Sequence, residues 1–246
     1  MLAITLRELR SLFVSPLAWV VLAVFQLLLS WLFLLRVEEF LTIQSRLATL
    51  QEAPGITDLV VAPHLEGAAV VAMLLLPLFG MRLLAEELRQ GTFVLLLSAP
   101  IGVTRIVLGK YLALLVLLGL MALLALLMPL SLLLGGGLDF GKLAAGTLGL
   151  WLTLAALGAA TLFASSLTAH PAAAAGAGYG LLLLLWLLQM AGTGEADRLA
   201  WLSPPYHLNP LLSGLVRSAD LGYFLLVALG FLALTVRRLD GLRREG

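Results

Sequence analysis

The sequence contains no cysteine and little charge. Without cysteine there can be no disulfide, no thiolate metal site and no cysteine nucleophile. Charged residues make up 12% of the 246 residues, against roughly 25% in a soluble domain, while hydrophobic residues make up 61%. So few charges cannot cover a soluble globule of this length. The net charge of +1 gives no electrostatic footprint for nucleic acid, and we expect no nucleic-acid partner.

Motifs that would indicate chemistry are also missing. Residues 136–143 fit the GxxxxGK pattern of a phosphate-binding loop, but Leu143 stands where that loop needs serine or threonine. The three histidines, His64, His170 and His207, fall in different predicted loops, which argues against a shared metal site. We therefore expect no catalytic residue, no metal site and no cofactor in this chain.

Apolar residues are present in long uninterrupted blocks, and a helix that crosses a bilayer needs about 20 of them. The blocks predict an all-α polytopic membrane protein, a single transmembrane domain over residues 1–246. Its six spans are expected at 17–35, 68–84, 106–134, 143–167, 172–190 and 221–236. The third span is long enough to tilt, or to bend at Pro129.

Basic residues predict the orientation, since they concentrate on the cytoplasmic side of membrane proteins. Ten of the fifteen Lys and Arg residues fall on one side: Arg7, Arg10, Arg82, Arg89, Arg105, Lys110, Arg237, Arg238, Arg243 and Arg244. The other five are Arg36, Arg46, Lys142, Arg198 and Arg217. Both termini are therefore expected in the cytoplasm, as an even number of spans requires.

The segment before the first span, residues 1–16, places Leu2, Leu6, Leu9 and Phe13 on one helical face. Arginines lie off that stripe, and Pro16 ends the pattern. This favours an amphipathic helix lying in the cytoplasmic membrane interface. The alternative is a short charged leader that only fixes the topology.

The segment 85–104, between the second and third spans, carries Glu86, Glu87 and Arg89 within one turn. Gly91 can end this polar helix, and Thr92 can cap a new one. The apolar run 93–97 is too short to span, and it is followed by Ser98, Ala99 and Pro100. Such a segment suits docking onto another protein; a re-entrant or interfacial turn without a partner is the alternative.

A second cytoplasmic turn, short and nearly uncharged, follows the fourth span. It contains Ser165, Ser166, Thr168 and His170. A histidine beside a helix-breaking proline is more often a loop residue than a proton carrier, and we interpret His170 in that way.

Small residues recur along the fifth span in two stripes. One consists of Ala172, Gly176 and Gly180, and the other of Ala174 and Gly178. Such spacing lets helices approach closely, and the neighbour can be another helix of this chain or a second copy. Between spans five and six, three prolines interrupt an apolar segment, which predicts short helices there.

These motifs together resemble one family. The pattern Glu86-Glu87-x-Arg89-x-Gly91-Thr92-x-x-Leu95-Leu96-Leu97-Ser98-x-Pro100, the run 105–111, the turn 165–168 and Leu202-Ser203-Pro204 resemble ABC-2 family transporter permeases. Within that family the chain looks most similar to the gliding-motility-type (GldF-like) and nitrous-oxide-reductase-maturation-type permeases. Phe93 and Val94 depart from the family pattern, which often has an acidic residue there.

The resemblance implies a dimer of two permease copies in the cell (inner, cytoplasmic) membrane of a prokaryote. Separate cytoplasmic ATPase subunits would bind ATP and Mg²⁺, so this chain would need no cofactor. A coupling helix would carry their movement into the spans through Glu86, Glu87, Arg89, Gly91, Thr92, Phe93, Ser98 and Pro100. Gliding-type relatives also work beside an auxiliary membrane protein with an extracytoplasmic domain.

The expected function is therefore a non-catalytic permease subunit of an ATP-driven exporter. One alternative is a mechanotransmission or scaffold subunit that passes force to extracytoplasmic partners without carrying substrate. Another is a self-sufficient secondary carrier, which the scarcity of charge inside the predicted spans disfavours.

Overall fold

The computed structural model describes residues 2–47, 54–92, 102–135, 137–191 and 197–245, and within these ranges the chain forms helices and no strand. Numbered along the chain, the helices are α1 (Leu2–Val14), α2 (Pro16–Leu47), α3 (Ala62–Leu83), α4 (Ala85–Gln90), α5 (Val103–Ser131), α6 (Phe140–Ser166), α7 (Pro171–Leu187), α8 (Asp197–Ala200), α9 (Pro204–Leu212) and α10 (Ser218–Glu245). A π-helical turn, Thr57–Val61, leads into α3. Single 3₁₀ turns follow α5 and α7.

Six helical stretches are long and apolar enough to cross a membrane, which confirms the predicted all-α, six-span class. They are Pro16–Ser45, Thr57–Gln90, Val103–Ser131, Phe140–Ser166, Pro171–Met190 and Ser218–Arg243. Their order along the chain is the one that the apolar blocks predict.

The helix that contains the first span is longer than its apolar block. The sequence predicts that the first span ends at Leu35, yet α2 continues to Leu47. Between Pro16 and Leu47 the sequence offers no further proline and no glycine to break the helix. Arg36 also pairs with Glu39 at 2.9 Å, one turn along the same face. A change of polarity therefore marks the end of an apolar block without ending the helix.

Helix α6 lies at the centre of the bundle. In the most apolar 18-residue stretch of its span, 72% of the residues are buried inside the chain. The corresponding share for the span that contains α7 is 17%. Neighbouring helices approach α6 closely where it carries glycine. A Cβ built on Gly146, Gly149 or Gly158 would lie 2.8 Å from a leucine side chain of α3, α9 or α5 respectively. Small residues at helix contacts are what membrane bundles use for close packing.

Pro129 lies inside α5 and removes one helical hydrogen bond, because proline has no N–H to donate to the Ala125 carbonyl. His64 of α3 supplies the missing donor, with its Nε2 3.0 Å from the Ala125 oxygen. The sequence placed His64 in a loop; it lies instead in a helix and is 1% exposed. In lipid an unpaired carbonyl costs several kcal/mol, which gives this histidine a structural reason to be there.

At the far end of the chain from α1, the short helices α8 and α9 are fixed to the start of α10 by His207. Its Nδ1 lies 2.7 Å from Asp220 Oδ1, and its Nε2 lies 2.8 Å from the Trp201 carbonyl oxygen. Its ring stacks on that of Tyr223 at 3.9 Å. Since a carbonyl oxygen can only accept, Nε2 carries a proton and donates to Trp201. His207 and Asp220 form a buried hydrogen-bonded pair.

Candidate functional site

Helix α4 begins where α3 ends, and a serine from another helix holds the junction. Ser165, buried near the end of α6, accepts hydrogen bonds through its Oγ from the backbone N–H groups of Leu84, at 3.2 Å, and Ala85, at 3.0 Å. The first N–H groups of a helix have no partner within it, and Ser165 satisfies two such groups from outside. The predicted second cytoplasmic turn therefore contacts the segment 85–104 through Ser165.

Gly91 ends α4 in the left-handed conformation, with φ of 69° and its N–H bonded to the Leu88 carbonyl at 3.3 Å. This is the usual role of glycine at a helix C-terminus. Thr92 follows, and its hydroxyl donates to the Glu87 carbonyl at 3.4 Å. Phe93, Ser98 and Pro100 lie outside the described residues, so their predicted contacts remain predictions.

A cluster of four charges, which we call the charge cluster, consists of Arg7 and Glu8 of α1, Glu87 of α4 and Lys110 of α5. Lys110 Nζ lies 2.9 Å from Glu87 Oε1 and 3.2 Å from Glu8 Oε1, although neither contact has hydrogen-bond geometry. An Arg7 guanidinium nitrogen lies 2.7 Å from Glu8 Oε1 and 3.3 Å from Glu87 Oε1. Two cations and two anions therefore balance.

Burial makes this balance important, because the Lys110 side chain is only 1% exposed. Removing an ammonium group from water costs several kcal/mol unless anions compensate. The hydrogen bond with Glu8 also raises the pKa of Arg7, which keeps the second cation charged. The charge cluster thus joins three elements that are far apart in sequence.

Sequence reasoning missed Glu8 and Lys110 as functional residues. The available signal for Lys110 was its place inside the predicted span 106–134, since a charge within a span normally has a partner there. For Glu8 the signal was weaker, because the predicted apolar stripe suggested that the leucines of α1 would be the packed face. Instead Thr5 and Glu8 are buried, while Leu2 and Leu6 are 76% and 65% exposed. Outward-facing leucines fit the predicted position in a membrane interface, which remains a prediction.

The other predicted charges of α4 face outward. Arg89 is more than half exposed, and Glu86 lies 4.0 Å from both Arg89 and Arg82. Arg82 also donates to the Ser15 hydroxyl at 2.8 Å. A cleft of about 740 Å³ between α1 and α4 is lined by Ser15, Arg82 and Glu86, with Phe79 among its apolar lining residues. Glu87 therefore pairs with the buried Lys110, whereas Glu86 and Arg89 remain accessible.

The remaining residues of the second predicted turn do not reach α4 by any described contact. The Ser166 hydroxyl donates to the Phe163 carbonyl at 2.6 Å, and Thr168 Oγ accepts from the His170 N–H at 3.1 Å. His170 is exposed and precedes α7 as its N-cap residue without a side-chain capping bond. Ser165 is the one residue of the four for which the structure gives a bond to the α4 junction.

The described part of the pattern that fits GxxxxGK, residues 137–143, leads into an ordinary helix start. Asp139 accepts from the backbone N–H groups of Gly141 and Lys142 and so caps α6. The Lys142 ammonium pairs with Asp58 at 2.6 Å. Among the described residues, no group of three or more His, Asp or Glu could hold a metal ion.

A family model described as "ABC-2 family transporter protein" matches residues 2–240, which is nearly the whole chain. No curated protein matches the sequence. The match is at the level of the family and does not support the gliding-motility or nitrous-oxide-reductase-maturation subtype. Proteins of this family are membrane permease components of ABC transporters and work with an ABC ATPase. With six candidate spans and a match across them, this chain belongs to the ABC-2 family of transporter proteins.

Proposed function

We propose that this chain is the non-catalytic permease subunit of an ABC-2 exporter, and that α4 receives the movement of a separate ATPase subunit. ATP and Mg²⁺ are then bound by that partner. The observation that carries the proposal is the two-sided environment of α4. Ser165 and Lys110 fix it to α6 and α5 on one side, while Arg89 is exposed on the other.

A helix of six residues has little stability of its own, so its neighbours determine where α4 lies. It continues from α3, its first N–H groups bond to α6, and its Glu87 pairs with α5. A displacement applied to its exposed side is therefore passed to spans two, three and four together. This is the property that a coupling element needs.

The surrounding arrangement follows from the same proposal. Two copies of the chain form the transmembrane unit in the inner membrane, with α1, α4 and both termini on the cytoplasmic side. The ten-to-five distribution of basic residues supports this orientation. An auxiliary protein with an extracytoplasmic domain completes the complex in the force-transmitting alternative, in which no substrate passes.

Purification of the full chain from its native membrane tests the proposal. We expect an ABC ATPase to co-purify, and we expect Arg89→Glu to reduce the recovered ATPase about fivefold, the effect of roughly 1 kcal/mol at an interface. Arg36→Glu is the matched control, because Arg36 is similarly exposed but belongs to the other predicted side. Recovery of no ATPase with the unaltered chain would refute the proposal, and equal loss in both variants would remove α4 from the contact.

A further inference from the structure

We propose that Lys110 is a positioning residue that makes α1 move with α4, so that the amino-terminal helix is part of the coupling device. The inference rests on the proposed function, since it assumes that α4 is moved by an ATPase. It adds a second element to that movement and names the contact responsible.

Lys110 lies between α1 and α4. Its ammonium group lies within 3.2 Å of one carboxylate from α1 and one from α4, and its side chain is 1% exposed. No further carboxylate lies within 4.0 Å of it in the described part of the chain. The lysine therefore depends on two helices at once for its compensating charge.

A direct contact also joins those two helices. Arg7 lies beside both Glu8 and Glu87, so α1 presents one cation and one anion to Glu87 of α4. If α4 moved away alone, the buried Lys110 would keep only Glu8. If α1 moved away alone, Lys110 would keep only Glu87. Either separation breaks a buried ion pair, which is strongly unfavourable.

Helix α1 packs on α5 and on the start of α2, and its leucines 2 and 6 face outward. A movement of α4 is therefore shared with the base of span three and with the helix that precedes span one. A purely anchoring α1 would instead stay fixed while α4 moved.

Distance measurements in the reconstituted complex test this directly, because the chain has no native cysteine to interfere. Spin labels would be attached at Ser11→Cys in α1 and Gln90→Cys in α4, both exposed positions. We expect the same distance distribution without nucleotide and with bound ATP. A nucleotide-dependent change in this distance of about 5 Å or more, the size of a one-turn helix shift, would overturn the proposal.

The variant Glu8→Gln removes the α1 contribution and leaves the Lys110–Glu87 pair. We expect the ATPase to co-purify as it does with the unaltered chain. The distribution of Ser11–Gln90 distances should broaden. ATP-dependent movement at Ser11 should be lost, while movement at Gln90 persists. Hydrolysis in the complex should fall about tenfold, the effect of roughly 1.4 kcal/mol. Lys110→Arg should retain more ATP hydrolysis in the complex than Lys110→Met, because arginine keeps the cation.

Lys142→Met is the control, since it removes an ion pair with Asp58 that is about one-third exposed and lies outside the charge cluster. It should leave distance and hydrolysis unchanged. Unchanged distances and hydrolysis in Glu8→Gln would overturn the role of the charge cluster while leaving the proposed function intact. Absence of a co-purifying ATPase from the unaltered chain would instead refute the proposed function.

Discussion

Replacing His207 by leucine should destabilise the chain by about 3–5 kcal/mol, because it leaves two buried polar groups without a partner at about 1–3 kcal/mol each. The change removes the hydrogen-bond partner of Asp220, whose side chain is 5% exposed and whose second oxygen, Oδ2, has no hydrogen-bond partner. It also removes the donor to the Trp201 carbonyl and the stacking on Tyr223. The expected readout is a lower midpoint of thermal unfolding in detergent.

Two further variants distinguish this cause from a general effect of losing a histidine. His170→Leu should leave the midpoint nearly unchanged, because His170 is exposed. The double variant His207→Leu with Asp220→Leu should recover much of the loss, since replacing both members of a buried pair by apolar groups is often close to neutral. Equal midpoints for His207→Leu and His170→Leu would contradict the assignment.

Gly80→Ala should separate α3 from α6 and lower stability by about 1–3 kcal/mol, the usual cost of overpacking. A Cβ at this position would overlap the Thr161 methyl group and lie 3.2 Å from the Thr161 carbonyl oxygen. The methyl group can rotate, but the backbone oxygen of the central helix cannot move without displacing the helix. The measurement is again the unfolding midpoint in detergent.

Gly176→Ala is the matched control on α7, where an added Cβ meets nothing within 4 Å. It should be neutral or slightly stabilising, because alanine favours a helix by about 1 kcal/mol over glycine. Adding Thr161→Ala to Gly80→Ala should restore part of the stability by removing the overlapping methyl. Similar midpoints for Gly80→Ala and Gly176→Ala would show that the α3–α6 contact is not close.

The class of fold could be predicted from the sequence because apolar run length alone distinguishes a spanning helix from other structure. The end of α2 could not, since the residues after Leu35 turn polar without breaking the helix. The two stripes of span five illustrate the same limit. Gly178 contacts Pro77 of α3 at 3.3 Å, counted from an added Cβ, whereas Gly176 and Gly180 meet nothing within 4 Å. Sequence periodicity defines both stripes but not which one packs within the chain.

The candidate site was predictable only in part. The polar turn at Glu86, Glu87 and Arg89, with Gly91 after it, could be recognised locally because charge and glycine act through adjacent residues. The different environments of these charges could not, because Glu87 meets Lys110 and Arg7 only after three helices pack together. Likewise, nothing near Ser165 in sequence indicates that its hydroxyl caps α4.

Cross-linking from α4 tests the central claim most directly, namely that its exposed side contacts a separate ATPase. A single cysteine would replace Gln90, at the exposed end of α4, or Ser45, at the far end of α2, and a thiol-reactive photo-cross-linker would be activated in native membranes. We predict a covalent adduct with an ABC ATPase from position 90 and none from position 45. Efficient labelling at position 90 without any ATPase adduct, or adducts from both positions alike, would contradict the account.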